Sequence, residues 1–241
     1  MPGGPTWVRR FHPGPDAAAE VVCLPHAGGA AAYWFPLSAL LAPAAEVLAV
    51  QYPGRQDRYK EAALEDLHVM AGLIAEELGP ASRPRVLLGH SMGASLAYEV
   101  ALRLTTPPDV LVVSGRRAPS RRRPAEHLDD VELVAKVRAL GGTDAARLAD
   151  PDVLEMVLPA LRADHRALAA YRDTPGAVPC PVVGLAGDGD AEAPVEDVDA
   201  WRHHTTGGFT LRVFPGGHFF VAERLREVAD VVAGLLPRAV S

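Results

Sequence analysis

Cysteine is scarce in this 241-residue chain. Cys23 and Cys180 are the only two, and neither stands in a CxxC or mixed Cys/His pattern. That argues against a disulfide framework and against a zinc site, and no cofactor motif takes their place. A basic excess is also missing. Lys and Arg number 24 against 30 Asp and Glu, a net charge of −6, the wrong sign for a nucleic-acid binder. No apolar run reaches the roughly 20 residues that span a bilayer. The opening Met1-Pro2-Gly3-Gly4-Pro5 has no basic region followed by an apolar stretch, so no signal peptide is expected. Internal repeats and low-complexity tracts are absent too. What remains, with 49% hydrophobic and 22% charged residues, suits one sizeable α/β domain or two small ones. The expectation is a reduced, cytoplasmic, soluble monomer with no nucleic-acid or membrane partner.

Short apolar runs alternate with longer helix-like segments. Glu20 to Leu24, Glu46 to Val50, Val86 to Leu88, Val110 to Val113, Val182 to Ala186 and Thr210 to Phe214 read as buried strands. Near-continuous apolar strands are what a parallel sheet covered on both faces requires. Helical stretches are predicted over Ala63 to Leu78, Met92 to Leu104, Val195 to His204 and Phe219 to Leu236. This alternation predicts right-handed crossovers and a mostly parallel, doubly wound sheet. Trp7 to Phe11 adds a candidate antiparallel edge strand. From Arg116 to Thr174 no good strand is found, only helix-like pieces at Asp129 to Leu140, Asp152 to Leu158 and Ala160 to Tyr171. The domain reading is therefore a core of 1–115 and 175–241 with a helical insertion, 116–174, over the carboxyl ends of the strands, where open α/β sheets bind ligands. The plainer alternative is a crossover that contains several helices.

Gly89-His90-Ser91-Met92-Gly93 is a G-x-S-x-G sequence. Alone the pattern is weak, but a strand, Val86 to Leu88, precedes it and an apolar-rich helix follows it. That strand–turn–helix context belongs to the α/β-hydrolase fold. A serine on so sharp a turn projects above the sheet, and small residues two before and two after avoid a clash between strand and helix. The plain alternative is a Ser N-cap on an ordinary helix.

A serine hydroxyl needs a base, and the base needs an orienting carboxylate, in the chain order Ser, Asp or Glu, His. His218 sits in Pro215-Gly216-Gly217-His218, a turn just after a strand, and is the predicted base. His203 and His204 read as a solvated helix end, and His127 and His165 fall in the insertion. The acid belongs in the loop after Val182 to Ala186. Asp188 and Asp190 both qualify there. Asp190 is preferred because it sits deeper in the loop, with Asp188 the better candidate for capping the turn. An oxyanion hole requires two backbone N–H groups. Met92, after the nucleophile, and Ala27, in Pro25-His26-Ala27-Gly28-Gly29, are the candidates. A phosphate-cradling loop is disfavoured, because neither G-x-G-x-x-G nor G-K-[ST] occurs. Tyr33, Trp34 and Met92 could touch an acyl group, though core packing is the commoner role for such residues.

Taken together the chain resembles type II thioesterases, the discrete editing hydrolases of polyketide and nonribosomal peptide pathways. The matching pieces are Pro25-His26-Ala27-Gly28-Gly29, Tyr52-Pro53-Gly54-Arg55, Gly89-His90-Ser91-Met92-Gly93, Gly187-Asp188-Gly189-Asp190, Trp201 and Gly216-Gly217-His218-Phe219. The resemblance implies a triad of Ser91, Asp190 and His218 and a helical lid formed by the insertion. It also implies acyl-phosphopantetheine thioesters on acyl or peptidyl carrier proteins as substrates. One departure stands out. A proline is expected soon after the acid, but Ala191-Glu192-Ala193 precedes Pro194, which leaves the loop register, and hence Asp188, open.

Arg116, Arg117, Arg121, Arg122 and Arg123 crowd the start of the insertion. They could meet a phosphopantetheine phosphate or an acidic carrier surface, or simply form a solvated loop. Other functional readings are a general carboxylester hydrolase, an acyltransferase or cyclase that differs only in what attacks the acyl-serine, and a non-catalytic hydrolase-fold receptor.

Overall fold

The computed structural model describes residues 7–121, 123–141 and 150–236. Seven strands form one sheet: β1 (Val8–Arg9), β2 (Ala19–Leu24), β3 (Ala45–Val50), β4 (Arg85–His90), β5 (Val110–Ser114), β6 (Val182–Gly187) and β7 (Phe209–Phe214). Their order is β1-β3-β2-β4-β5-β6-β7, with β1 antiparallel to β3 and every other pair parallel. The helices are α1 (Phe35–Leu41), α2 (Leu67–Leu78), α3 (Met92–Arg103), α4 (Asp130–Leu140), α5 (Pro151–Ala170), α6 (Val195–Asp199), α7 (Phe220–Glu223) and α8 (Leu225–Ala233).

Strands β2 to β6 are largely apolar along both faces because both faces are covered, whereas β7, at the sheet edge, exposes Thr210, Arg212 and Val213. Val22 and Leu24 of β2 point into one core with Met70 and Ile74 of α2 and Leu96 and Val100 of α3. Val21 and Cys23, one residue out of phase, point into the other with Leu37 of α1 and Val228 and Val232 of α8. Both cysteines are buried as free thiols. Among the described residues, no helix is long and apolar enough to cross a membrane.

Strand order places the site. The chain runs from β2 outward to β3, then returns to lay β4 on the other side of β2. Loops leaving adjacent strands at such a reversal diverge and open a crevice at the carboxyl ends. Leu24 is paired with Gly89 in the register, so the loop after β2 and the turn after β4 start side by side.

Between β5 and β6 the described residues form α4, α5 and a short 3-10 turn at Pro119–Arg121. Asp129 and Glu132 cap α4 reciprocally, and Asp150 caps α5 ahead of Pro151. A break at Pro159 is the sequence expectation, but α5 runs through it as one 20-residue helix. Proline removes one N–H and crowds the preceding turn. Here the following turns bury Ala160, Leu161, Ala163, Asp164 and Ala167, and that packing keeps the helix going. Its exit is fastened to the core. Glu99 of α3 accepts from the Tyr171 hydroxyl at 2.8 Å, from Thr174 N–H at 2.9 Å and from the Thr174 hydroxyl at 2.7 Å. Burial works to raise the pKa of Glu99, but the donors from Thr174, Arg103 and Tyr171 outweigh it and the net direction is down.

Candidate active site

Ser91 ends the turn between β4 and α3 with φ +54° and ψ −118°, a conformation that L-residues seldom adopt. Its N–H is tied to Ser114 O at 2.8 Å. The flanking glycines are needed for space. A Cβ on Gly89 would stand 2.1 Å from Gly93 O, and one on Gly93 would stand 2.1 Å from Leu24 O.

The loops after β6 and β7 bring two more side chains to this turn. His218 Nε2 lies 3.0 Å from Ser91 Oγ, and His218 Nδ1 lies 2.8 Å from Asp190 Oδ2. In the tautomer this geometry favours, the serine hydroxyl donates to Nε2 and Nδ1–H donates to the carboxylate. Both ring and carboxylate are buried. The second oxygen of Asp190 accepts from Glu192 N–H at 2.9 Å and Ala193 N–H at 3.2 Å, which aims the first at the ring. Those donors belong to the Ala191-Glu192-Ala193 stretch where a proline is expected; a proline at 192 or 193 would remove one of them.

Asp188 serves a different purpose. Its Oδ1 accepts from Gly216 N–H at 3.0 Å, and Gly189 N–H donates to Gly216 O at 2.9 Å. It therefore joins the two loops rather than capping its own. Among the described residues, His218 is the histidine bonded to Ser91. His204 pairs with Ser120 Oγ at 3.1 Å, His203 is exposed, His127 borders a surface hollow, and His165 lines the cavity described below. Trp34 and Met92 are core side chains.

Ala27 borders the cavity beside Ser91 and His218, and Met92 opens α3. Among the described residues, neither backbone N–H has an acceptor. The cavity over Ser91 has a volume of about 170 Å³. Leu140, Leu168, Trp201 and Phe219 contribute apolar wall, whereas Arg117 and Arg123 lie on its polar side. Arg116 donates to Ser95 Oγ at 2.9 Å, and Arg117 donates to Glu192 O. Arg121 and Arg123 are exposed; Arg122 lies outside the described residues. Among the described residues, no group of His, Cys, Asp and Glu suits a metal ion.

His90 is fully buried beneath the site, its ring centre 5.2 Å from that of His218 and its Nδ1 3.1 Å from Ser114 Oγ. Burial, then the neighbouring His218 and His26, push its pKa well below the usual 6.5. A proton taken up by the unfolded chain near pH 6.5 is thus refused by the folded one. Stability is fully present above that value and falls as the pH drops through the window beneath it. We expect His90→Asn to flatten the acid limb of the stability curve by up to about 1.4 kcal/mol per pH unit, the weight of one proton. Thermal melts of both proteins between pH 7.5 and 5 test this; parallel curves would count against it.

Sequence reasoning missed one element of the site. Asp164, in the middle of α5, reaches the loop after β2 and forms a buried ion pair with Arg55. The available signal was a charge on an apolar helix face, since Ala160, Leu161, Asp164, Ala167 and Leu168 follow helical spacing.

Hydrolases of the α/β-hydrolase fold carry their chemistry on these strand-end loops, and this chain has that fold. The thioesterase domain family matches residues 19–236, so within that class the chain belongs to the thioesterase family. It is 48% identical over 238 residues to the "Probable cadicidin biosynthesis thioesterase" of Streptomyces griseus, covering 95% of this chain and 66% of that one. It is 45% identical to thioesterase PikA5 of Streptomyces venezuelae, covering 94% and 84%. Among solved structures, the type II thioesterase BorB from the borrelidin biosynthetic cluster superposes with a TM-score of 0.90 at 40% identity, covering 98% of this chain and all of BorB.

Proposed function

We propose that this protein hydrolyses acyl groups from the phosphopantetheine arm of acyl or peptidyl carrier proteins, removing stalled or aberrant units during polyketide or nonribosomal peptide synthesis. The unbroken hydrogen-bonded series Ser91–His218–Asp190 at the floor of a cavity carries this reading. The names of the related proteins support the pathway class.

In the proposed reaction Ser91 Oγ attacks the thioester carbonyl while His218 Nε2 takes its proton, and the ring's new charge is balanced by Asp190. The oxyanion is received by Ala27 and Met92 N–H, each donor contributing roughly 3 kcal/mol of barrier reduction. The carbon–sulfur bond then breaks. A thiol has a reference pKa near 8.5, so it leaves with little help from an acid. The proton on His218 passes to the departing sulfur, which restores the ring as a base; water, deprotonated by His218, then cleaves the acyl-serine, the proton returns to Ser91 Oγ and the free acid is released. The insertion of residues 116–174 acts as the lid, since its described residues, among them Arg117, Lys136, Leu140, His165 and Leu168, supply much of the cavity wall.

The test is release of free acid from a panel of acylated carrier proteins, with Ser91→Ala as control. Release from simple esters but from no carrier would favour a general esterase; an acyl-enzyme on Ser91 without hydrolysis would favour a transferase. Arg123, which borders the cavity, and Arg121, two residues before it, are exposed and are proposed to meet the phosphate or the carrier. Replacing both with Ala is expected to reduce kcat/KM for carrier-bound acyl groups about tenfold, which is about 1.4 kcal/mol, and to spare small thioester analogues. Equal loss on both substrates, or no loss, would overturn that assignment.

A further inference from the structure

Asp164 and Arg55 lie 109 residues apart in the sequence, and their ion pair is bidentate: Arg55 Nη1 meets Asp164 Oδ2 at 2.6 Å and Nη2 meets Oδ1 at 2.8 Å. Side-chain exposure is 6% for Arg55 and 0% for Asp164. Burial alone would lower the Arg55 pKa, but Asp164 more than reverses this and the net direction is up, so the arginine stays charged. Asp164 Oδ2 also accepts from Gly28 N–H at 2.7 Å. Arg55 Nη1 donates to Gly29 O at 3.2 Å and Nε to Pro53 O at 3.3 Å. The same loop is held at its far end by Gln51 Oε1, which accepts from Ala31 N–H at 2.9 Å. Tyr52 OH donates to Pro25 O at 2.9 Å at its near end.

A buried ion pair is a weak source of net stability, because desolvating both charges offsets most of their attraction. Its effect here falls on orientation. Gly28 N–H belongs to the peptide joining Ala27 to Gly28, and Gly28 has φ +74°. Occupying that N–H fixes the plane of the peptide that follows Ala27, and Gly29 N–H, which donates to His26 O at 3.0 Å, holds the peptide that carries Ala27 N–H, so both peptides flanking Ala27 are held. Leu161, one turn before Asp164, approaches so closely that a Cβ on Gly28 would lie 2.9 Å from its Cδ1. Helix α5 is therefore packed against the oxyanion loop as well as covering the cavity.

We infer that Asp164 and Arg55 are positioning residues for the oxyanion hole, and that the middle of α5 is a fixed part of the catalytic scaffold, not a freely moving section of a lid. This rests on the hydrolase reading above, with Ala27 as an oxyanion donor. The experiment compares wild type with Asp164→Asn, Arg55→Lys and the apolar pair Arg55→Met/Asp164→Leu. Substrates are an acyl N-acetylcysteamine thioester and its dithioester, in which sulfur replaces the carbonyl oxygen. Loss of one oxyanion donor lowers kcat about 10²- to 10³-fold. The apolar pair is expected to fold with a Tm near wild type. Its kcat on the thioester should fall about 100-fold with KM within threefold. Arg55→Lys, which keeps the charge but loses the fork, should lose about tenfold. The dithioester, whose sulfur anion gains little from the N–H donors, should lose far less, so the ratio of the two rates should collapse. A folded variant with wild-type kcat, an equal loss on both substrates, or a loss confined to KM overturns the inference. So does failure of all three variants to fold, which would make the pair a folding requirement. Wild type inactive on every thioester would sink the hydrolase reading instead.

Discussion

Asp190→Asn is expected to lower kcat about 10⁴-fold, whereas Asp188→Asn should stay within about threefold of wild type. The two carboxylates are two residues apart in one loop, yet they face different partners. Asp190 Oδ2 receives His218 Nδ1 at 2.8 Å. An amide there presents N–H₂ or a neutral oxygen, which no longer enforces the tautomer whose Nε2 is free to accept from Ser91, and no longer balances the imidazolium that forms during attack. Asp188 only accepts from Gly216 N–H. Asparagine keeps a carbonyl oxygen for that bond, so its effect is small. Asp188→Ala removes the acceptor and loosens the loop that carries His218, for which a loss of about tenfold is expected. Steady-state kinetics on one acyl thioester, with circular dichroism to show that each variant is folded, separates the roles. A 10⁴-fold loss at Asp188 with a mild effect at Asp190 would reverse the assignment.

That pair also shows where sequence reading stops. The serine, the histidine and the loop that holds the acid are each announced by local pattern: a turn between an apolar strand and an apolar helix, or polar residues just past a strand. Which of two neighbouring aspartates crosses to the next loop depends on backbone path. The donors at Glu192 and Ala193 that aim Asp190 are invisible in a one-letter string. Asp164 is harder still, because its partners at Gly28 and Arg55 come from a different part of the chain.

The strands were legible because burial on both faces makes β2 to β6 largely apolar runs, and the six expected agree with β2 to β7 to within two residues at either end; the expected burial of Thr210 to Phe214 does not hold, because β7 is a sheet edge with Thr210, Arg212 and Val213 exposed. Helix limits were less so. The stretch expected from Ala63 begins at Leu67, because Asp66 accepts from His68 and Val69 N–H and sets the cap there. The Val195 to His204 stretch changes to a 3-10 turn after Asp199, and the final stretch breaks at Arg224. The edge strand shrinks to Val8–Arg9, and α1, seven residues long, has too few turns to show a period. Tertiary packing decided these ends, and also carried α5 through Pro159.

Gly93→Ala, like Gly89→Ala, should be among the most damaging single-methyl additions near the site. The new Cβ would meet Leu24 O at 2.1 Å and Pro25 O at 2.6 Å, both backbone atoms where β2 ends and the loop bearing Ala27 begins. No side-chain rotation relieves that, so the start of α3 must move away from β2. Overpacking against rigid backbone places the expected cost above about 3 kcal/mol. Ser91 and Met92 immediately precede Gly93, so whatever folds carries a displaced nucleophile and oxyanion donor. A displacement of about 1 Å is enough for a further 10²-fold loss of kcat. Gly72→Ala supplies the contrast. It is the same substitution in the middle of α2, where a Cβ meets nothing within 4 Å. There alanine's higher helix propensity should raise stability by up to about 1 kcal/mol. Urea denaturation of both variants beside wild type reads the two signs. If Gly93→Ala unfolds at the wild-type midpoint with unchanged kcat, the close packing of α3 on β2 does not set the nucleophile's position. A destabilised Gly72→Ala would show instead that adding the methyl group, wherever it falls, is what does harm.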